Sequence, residues 1–240
     1  MRILITNDDG MNASQLIPLI RWCQSLGEVT VFVPKSQQSG KSHSIGFNQP
    51  FEAKLVEVEP GISLWAVDSS PADCVRLAVL GMKMEFDLVI SGINRGLNIG
   101  GDIIYSGTVG AVSEALRLGI PGIALSTQIK YYDQAVSHLD EVFAFFREHQ
   151  LMSFHDCYNV NIPADPKGCR ITRQGGPYYT DDFQAIENDL YVPLGKSIWV
   201  DQQDLFLDTD ATLHGYITVT PLTIDRTDHR TFEVLSHLNK

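Results

Sequence analysis

The chain has little cysteine, a shortage of positive charge and no long apolar run. Each shortage removes a class of protein. Its four cysteines, Cys23, Cys74, Cys157 and Cys169, stand far apart with no Cys-x-x-Cys pair. That spacing argues against a zinc ribbon or a disulfide framework and predicts buried free thiols in a reducing compartment. Lys and Arg number 18 against 29 Asp and Glu, for a net charge of −11. A long nucleic-acid surface needs dense Lys and Arg, so none is expected. No apolar stretch approaches the roughly 20 residues that span a bilayer, so no membrane partner is expected. The chain passes from Met1-Arg2 straight into an apolar run without a secretory-leader pattern, which predicts a cytoplasmic protein.

Common nucleotide and hydrolase signatures are missing as well. The first apolar run ends in Asp8-Asp9-Gly10, not in the Gly-x-Gly-x-x-Gly turn of a dinucleotide-dependent dehydrogenase. Nor is it the Asp-x-Asp of a haloacid-dehalogenase-type phosphatase. There is no Gly-x-Ser-x-Gly nucleophile elbow. Ser39-Gly40-Lys41-Ser42 matches a P-loop in composition but not in spacing.

What is present is a 240-residue chain, 44% apolar, able to bury a sizeable core. Short apolar runs at 2–6, 28–34, 62–67, 86–91 and 122–126 read as strands. Helical patterns cover about 13–26, 71–80 and 108–118, the second opened by Ser70 as N-cap and Pro71 in the first turn. This β-α order predicts an α/β fold with a mostly parallel sheet and helices on both faces. Residues 35–50 read as a loop or hairpin. The second half is less regular: an amphipathic helix over Gln134–His149, strands at Tyr158–Ile162, Arg170–Arg173 and Tyr216–Thr220, and turns between.

Four constellations carry candidate chemistry. In Asn7-Asp8-Asp9-Gly10, adjacent carboxylates follow a strand where an open sheet binds ligands. Like charges that close call for a cation, and carboxylate oxygens suit Mg²⁺, Mn²⁺ or Ca²⁺. The bland alternative is that Asp9 or Asn12 caps the next helix while Asp8 is solvated. Ser39-Gly40-Lys41-Ser42-His43-Ser44 offers hydroxyls, a cation and an imidazole, or is a plain polar loop. Ser91–Asp102 combines four glycines with Asn94, Asn98 and Arg95, donors for a ligand that approaches the backbone closely, or is a plain glycine-rich loop. Tyr105-Ser106-Gly107-Thr108 opens a helix and forms an anion site, an N-cap, or both. Glu114 further along that helix is either a supporting group for the site or a solvated charge. His214, flanked by apolar residues, reads as structural.

Taken together these runs resemble the SurE family of survival nucleotidases. The match is carried by Ile3–Gly10, Ser39-Gly40 with Ser42 and Ser44, Pro71–Val75, Asp87–Asp102 continuing through Tyr105–Ala111, Gly119–Pro121, Ile123–Ser126, Thr209–Ala211 and Gly215–Leu222. The resemblance implies one domain over 1–240. Residues 1–130 would be a Rossmann-like three-layer core with the metal site, and 131–240 an irregular β-rich extension used in oligomerisation. It implies a divalent-metal-dependent hydrolase of nucleoside 5′- and 3′-monophosphates, acting also on short polyphosphate, with one Mg or Mn ion per subunit (Ca in a crystal). The family's ligands carry over onto Asp8, Asp9, Ser39 and Asn94, with Asp8 and Asp9 catalytic. Asn12, Gly40, Ser42, His43, Asn98, Ser106, Gly107 and Thr108 are the expected phosphate and substrate contacts. A homodimer or homotetramer that exchanges its C-terminal extension is also implied. The chain departs from the family at Lys35–Gln38, His43 and Gly46. These departures bear on phosphate contacts and substrate preference, and His43 is a candidate replacement for a lost hydrogen-bonding group. Two matters stay open: whether a metal-activated water or Asp8 attacks phosphorus, and whether the chain turns over nucleotides or acts as a metal- and nucleotide-binding regulator.

Overall fold

The computed structural model describes residues 1–187 and 189–239. Its centre is β1 (Arg2–Thr6), where Ile3, Leu4 and Ile5 are all fully buried. A strand buried on both faces reads as a continuous apolar run, which is why this segment does not alternate with polar residues. Side chains still alternate across the sheet, and that sorts the core into layers. Ile3 and Ile5 pack with Leu16, Leu19, Ile20 and Cys23 of α1 (Leu16–Gln24) and with Leu139, Val142, Phe143 and Phe146 of α4 (Leu139–Glu148). Leu4 faces the other way, onto Cys74 and Val75 of α2 (Pro71–Arg76) and Ala111 and Ala115 of α3 (Gly107–Arg117).

Among the described residues β1 belongs to a nine-stranded sheet. Its other members are β2 (Glu28–Pro34), β3 (Ala53–Glu59), β4 (Ile62–Val67), β5 (Leu88–Arg95), β6 (Gly122–Thr127), β7 (Cys157–Ile162), β8 (Cys169–Ile171) and β11 (Ile217–Pro221). The order is β3-β4-β2-β1-β5-β6-β7-β11-β8. Pairings from β4 to β7 are parallel, whereas β3 on β4 and β11 on β7 are antiparallel. An α/β fold with a mostly parallel sheet is therefore what forms. From β1 the chain builds outward through β2 and β4, then returns to place β5 against β1's other side. That reversal is a topological switch point, and the crevice beyond the carboxyl ends of β1 and β5 is where such sheets bind ligands.

Several elements differ from expectation. α1 begins at Leu16 rather than near residue 13, because Met11 N–H donates to the Pro34 carbonyl (2.9 Å) and ties the intervening turn to β2. Its N-cap is Gln15, without a side-chain cap, so neither Asp9 nor Asn12 caps it. Pro18 sits in the first turn, where its missing N–H costs nothing. The 71–80 helix ends its α-helical part at Arg76 and widens over Leu77–Gly81. The 134–149 helix is α-helical only from Leu139. Before it, Ile129–His138 winds as tighter turns whose three-residue repeat buries Tyr132 and Ala135 together.

β5 runs four residues beyond the expected Ser91, through an irregularity between Ser91 and Asn94. Gly92 allows it: its φ is +140°, and a Cβ there would lie 2.4 Å from the Leu125 carbonyl oxygen. Segment 35–50 holds no strand. β3 at the sheet edge, the antiparallel hairpin of β9 (Tyr179–Ala185) and β10 (Tyr191–Ser197), α5 (Asp208–Leu213) and α6 (His229–Ser236) were not anticipated.

α3 also carries the 42–43 loop. A Cβ on Gly110 would lie 2.4 Å from the Ser42 carbonyl oxygen and 2.9 Å from the His43 Cα. Gly110→Ala should therefore cost about 1–3 kcal/mol by forcing helix and loop apart. Urea unfolding measures it, and an unchanged midpoint would show that this contact is not tight.

Candidate active site at the strand ends

Asp8 and Asp9 follow β1 at the switch point. Asp8 is 3% exposed and accepts a 2.7 Å hydrogen bond at Oδ1 from the Thr108 hydroxyl. Gly107, with no side chain, lies against it; a Cβ there would come within 3.1 Å of Asp8 Cβ. Asp9 is half-buried and accepts at Oδ2 from the Arg95 backbone N–H (2.9 Å), a contact across 86 residues of sequence. Asn94 precedes that amide, so it lies beside the acids. Its side-chain N–H₂ donates to the Gly96 carbonyl (2.9 Å), which turns the amide so that its oxygen is the free end. The Gln38 N–H donates to the Asp8 carbonyl (2.7 Å), bringing the 35–50 loop and Ser39 alongside. Ser39 Oγ accepts from the Gln37 side chain (3.0 Å) and is exposed.

Burial penalises the charge on both acids. Burial pushes the Asp8 carboxyl up to about 6; Thr108's hydroxyl opposes this and the Asp9 charge adds to it. Burial raises Asp9 as well, against the pull of Arg95. A cavity of about 430 Å³ opens on Asp9, lined by Asn12, Gln37, Arg95 and Tyr132. Burial, then the Asp9 charge, drives the Tyr132 phenol's pKa upward, and the Arg95 guanidinium stands 6.0 Å from that ring's centroid. Tyr132 escaped the sequence reading, whereas Gln37 entered it only as part of the Lys35–Gln38 departure from the family.

The other expected contacts are placed as follows. Ser106 is the N-cap of α3, its hydroxyl accepting from the Val109 N–H. Thr108 is committed to Asp8. Gly40 is exposed in the loop with φ +70°. Ser42 donates to the Ile104 carbonyl (2.6 Å). Asn98 is held inside the fold, its side chain donating to Ser126 Oγ (2.7 Å) and its carbonyl accepting from Asn159 and Asn161.

His43 Nε2 lies 2.7 Å from Glu114 Oε2, and Arg76 and Arg117 also donate to that carboxylate. Glu114 is 2% exposed, so it is a paired buried charge rather than a solvated one. Burial alone would raise its pKa, but the His43 and Arg117 bonds outweigh that and hold it at about 2.

Among the described residues no three His, Cys, Asp or Glu side chains converge as a metal cluster. A cation here would rest on two carboxylates and neutral oxygens. Asp8, Asp9, the Asn94 amide oxygen and the Ser39 hydroxyl are all hard donors, and burial raises both adjoining acids despite the pull of Arg95 on Asp9. This donor set fits Mg²⁺ or Mn²⁺ better than a soft metal.

Fold and site together define an open α/β protein with an acidic oxygen-donor site at its switch point. The family model described as "Survival protein SurE" matches residues 3–181, and the chain belongs to the SurE family. A protein of Clostridium beijerinckii named 5′-nucleotidase SurE is 37% identical, covering 100% of this chain and 98% of its own. One of the same name from Gemmatimonas aurantiaca is 39% identical over 96% and 95%. The crystal structure of the SurE protein from Aquifex aeolicus covers both chains fully, with a TM-score of 0.80 and 29% identity.

The Asp8 carboxyl yields a signed prediction for the metal-free protein. Its folded pKa, about 6, lies above the ordinary 3.8, so the folded state binds the proton more tightly. The penalty is absent below pH 3.8, grows as pH rises toward 6 and is complete above it. Asp8→Asn, which keeps an oxygen for Thr108, should raise stability by up to about 3 kcal/mol at pH 7.5 and much less at pH 4.5. Thermal melts in chelator at both pH values check this; an equal gain at both would remove Asp8 as the source.

Proposed function

We propose that this chain is a divalent-metal-dependent phosphomonoesterase that hydrolyses nucleoside 5′- and 3′-monophosphates to nucleoside and phosphate, with short polyphosphate as a further substrate. The observation that carries the reading is the meeting of Asp8 and Asp9 with Asn94-Arg95 at the switch point, where burial raises both carboxyls. The names of the full-length relatives support the reaction class. In this reading Asp8, Asp9, Ser39 and Asn94 hold one Mg or Mn ion. When bound, the ion supplies Lewis-acid polarisation of the phosphoryl group.

The chain's own groups do the rest. Thr108 fixes Asp8, and the Arg95 amide fixes Asp9, so the carboxylates need little reorganisation. The start of α3 at Ser106 and Gly107 presents the positive end of an 11-residue helix to a phosphate. Asn12 and Arg95, on the cavity beside Asp9, offer further donors to phosphate oxygens. His43, anchored by Glu114, together with Ser42 and Gly40 forms the loop side of the site, and Asn98 braces its floor. One domain over 1–240 acts in the cytoplasm as a homodimer or homotetramer. Its C-terminal part makes the contact, in keeping with the exposed Phe232, Val234 and Leu235 of α6.

Asp9→Ala should keep the wild-type circular dichroism spectrum and lose turnover of AMP with Mg²⁺ or Mn²⁺ by about a thousandfold or more. Near-wild-type turnover by that variant in chelator would refute the metal and catalytic assignment. A wild-type protein that binds AMP but never releases phosphate would make it a regulator instead.

A further inference from the structure

A second cavity, of about 540 Å³, adjoins the one on Asp9. Ile129 lines both, and the consecutive residues Arg95 and Gly96 line one each. The volume falls within the range of small-molecule sites. Its walls are mixed: Leu97, Ile99 and Ile129 are apolar, whereas Asp102, Gln128 and Lys130 are polar or charged. Tyr178 and Tyr179 add two phenol rings with centroids 5.2 Å apart, tilted at 62°. These tyrosines come from the second half of the chain and are pinned to the glycine-rich segment. Asp102 Oδ2 accepts from the backbone N–H of Tyr178 (3.2 Å) and of Tyr179 (2.7 Å). Ordered aromatic rings beside apolar walls suit a flat heterocycle that stacks.

We infer that this cavity is the base subsite: a nucleoside monophosphate places its phosphate beside Asp9 and its base against Tyr178 and Tyr179. The inference rests on the phosphomonoesterase reading for the phosphate end and deepens it by assigning substrate selection to these two rings. Asp102 is a positioning residue, acting only through the backbone it holds. Another cavity, of about 400 Å³ between α3 and the segment after β11, is lined by Ser42, His43 and Ser106 from the phosphate side of the proposed site; it shares no lining residue with the Asp9 cavity and carries no Tyr, Phe or Trp ring.

The test compares AMP with ribose 5-phosphate, the same ester without its base, and titrates adenosine calorimetrically into the metal-free protein. In Tyr178→Ala the ratio of kcat/KM for AMP to that for ribose 5-phosphate should fall about 10- to 100-fold, and adenosine binding should weaken in step. Tyr178→Phe, which keeps the ring, should retain the wild-type ratio. Tyr179→Ala, at a position 49% exposed, gives a second reading if the first variant folds poorly. Equal effects on both esters, or adenosine binding unchanged in both alanine variants, would overturn the subsite while leaving the hydrolase reading intact. Adenosine binding that depends on Tyr178, in a protein that cleaves neither ester, would support the subsite and sink the hydrolase reading.

Discussion

The structure depends on one pairing. β1 and β5 lie parallel, with Thr6 opposite Ser91, at the place where the sheet's order reverses. This register sets the Asp8-Asp9 turn beside Asn94-Arg95. The Arg95 N–H to Asp9 bond then closes the ends of the two strands on each other. A shift by one residue would turn the apolar side chains of β5 to the opposite faces and carry Asn94 away from the acids. The buried faces of the sheet therefore hold the site's geometry as firmly as any contact within it.

Two buried acids show how the same chemistry is used in opposite ways. Glu114 is enclosed with Arg76, Arg117 and His43 already in contact, and its carboxylate is held ionised. It fastens the 42–43 loop to α3. Asp8 is as deeply enclosed but receives a neutral hydroxyl and the repulsion of Asp9. A fold that pairs one buried carboxylate so fully and leaves another facing its like has a structural acid and an unsatisfied one. The chain neighbour of that second acid, Asp9, lines the cavity.

Legibility in the sequence followed burial. β1, β2, β4 and β6 lie well inside the sheet and appear as apolar runs at nearly their observed limits. β3 carries Lys54, Glu57 and Glu59 because it is an edge strand with a wet face, and those charges masked it. β9 and β10 are exposed along most of their length, and α6 buries none of its residues, so none of the three is read from the core's apolar runs. α5 erred in the other direction. Asp208, Thr209, Asp210 and Thr212 are polar yet buried, their oxygens taken up by neighbours such as the Gly175 and Gln202 N–H groups. Polar burial of that kind leaves no hydropathy signal.

The residues alone determined the layered α/β fold, the acidic turn after the first strand, and the membership that its motifs announce. Those features are local, written in apolar runs, caps and contiguous text. Only the tertiary structure decided which donors meet. It committed Thr108 to Asp8 and Asn98 to the neighbouring strands, enclosed Glu114 among cations, and brought Tyr178 and Tyr179 onto Asp102. Apart from the local Glu114–Arg117 pair, each of these joins residues dozens of positions apart, and contact at that range is set by strand order and register rather than by local propensity.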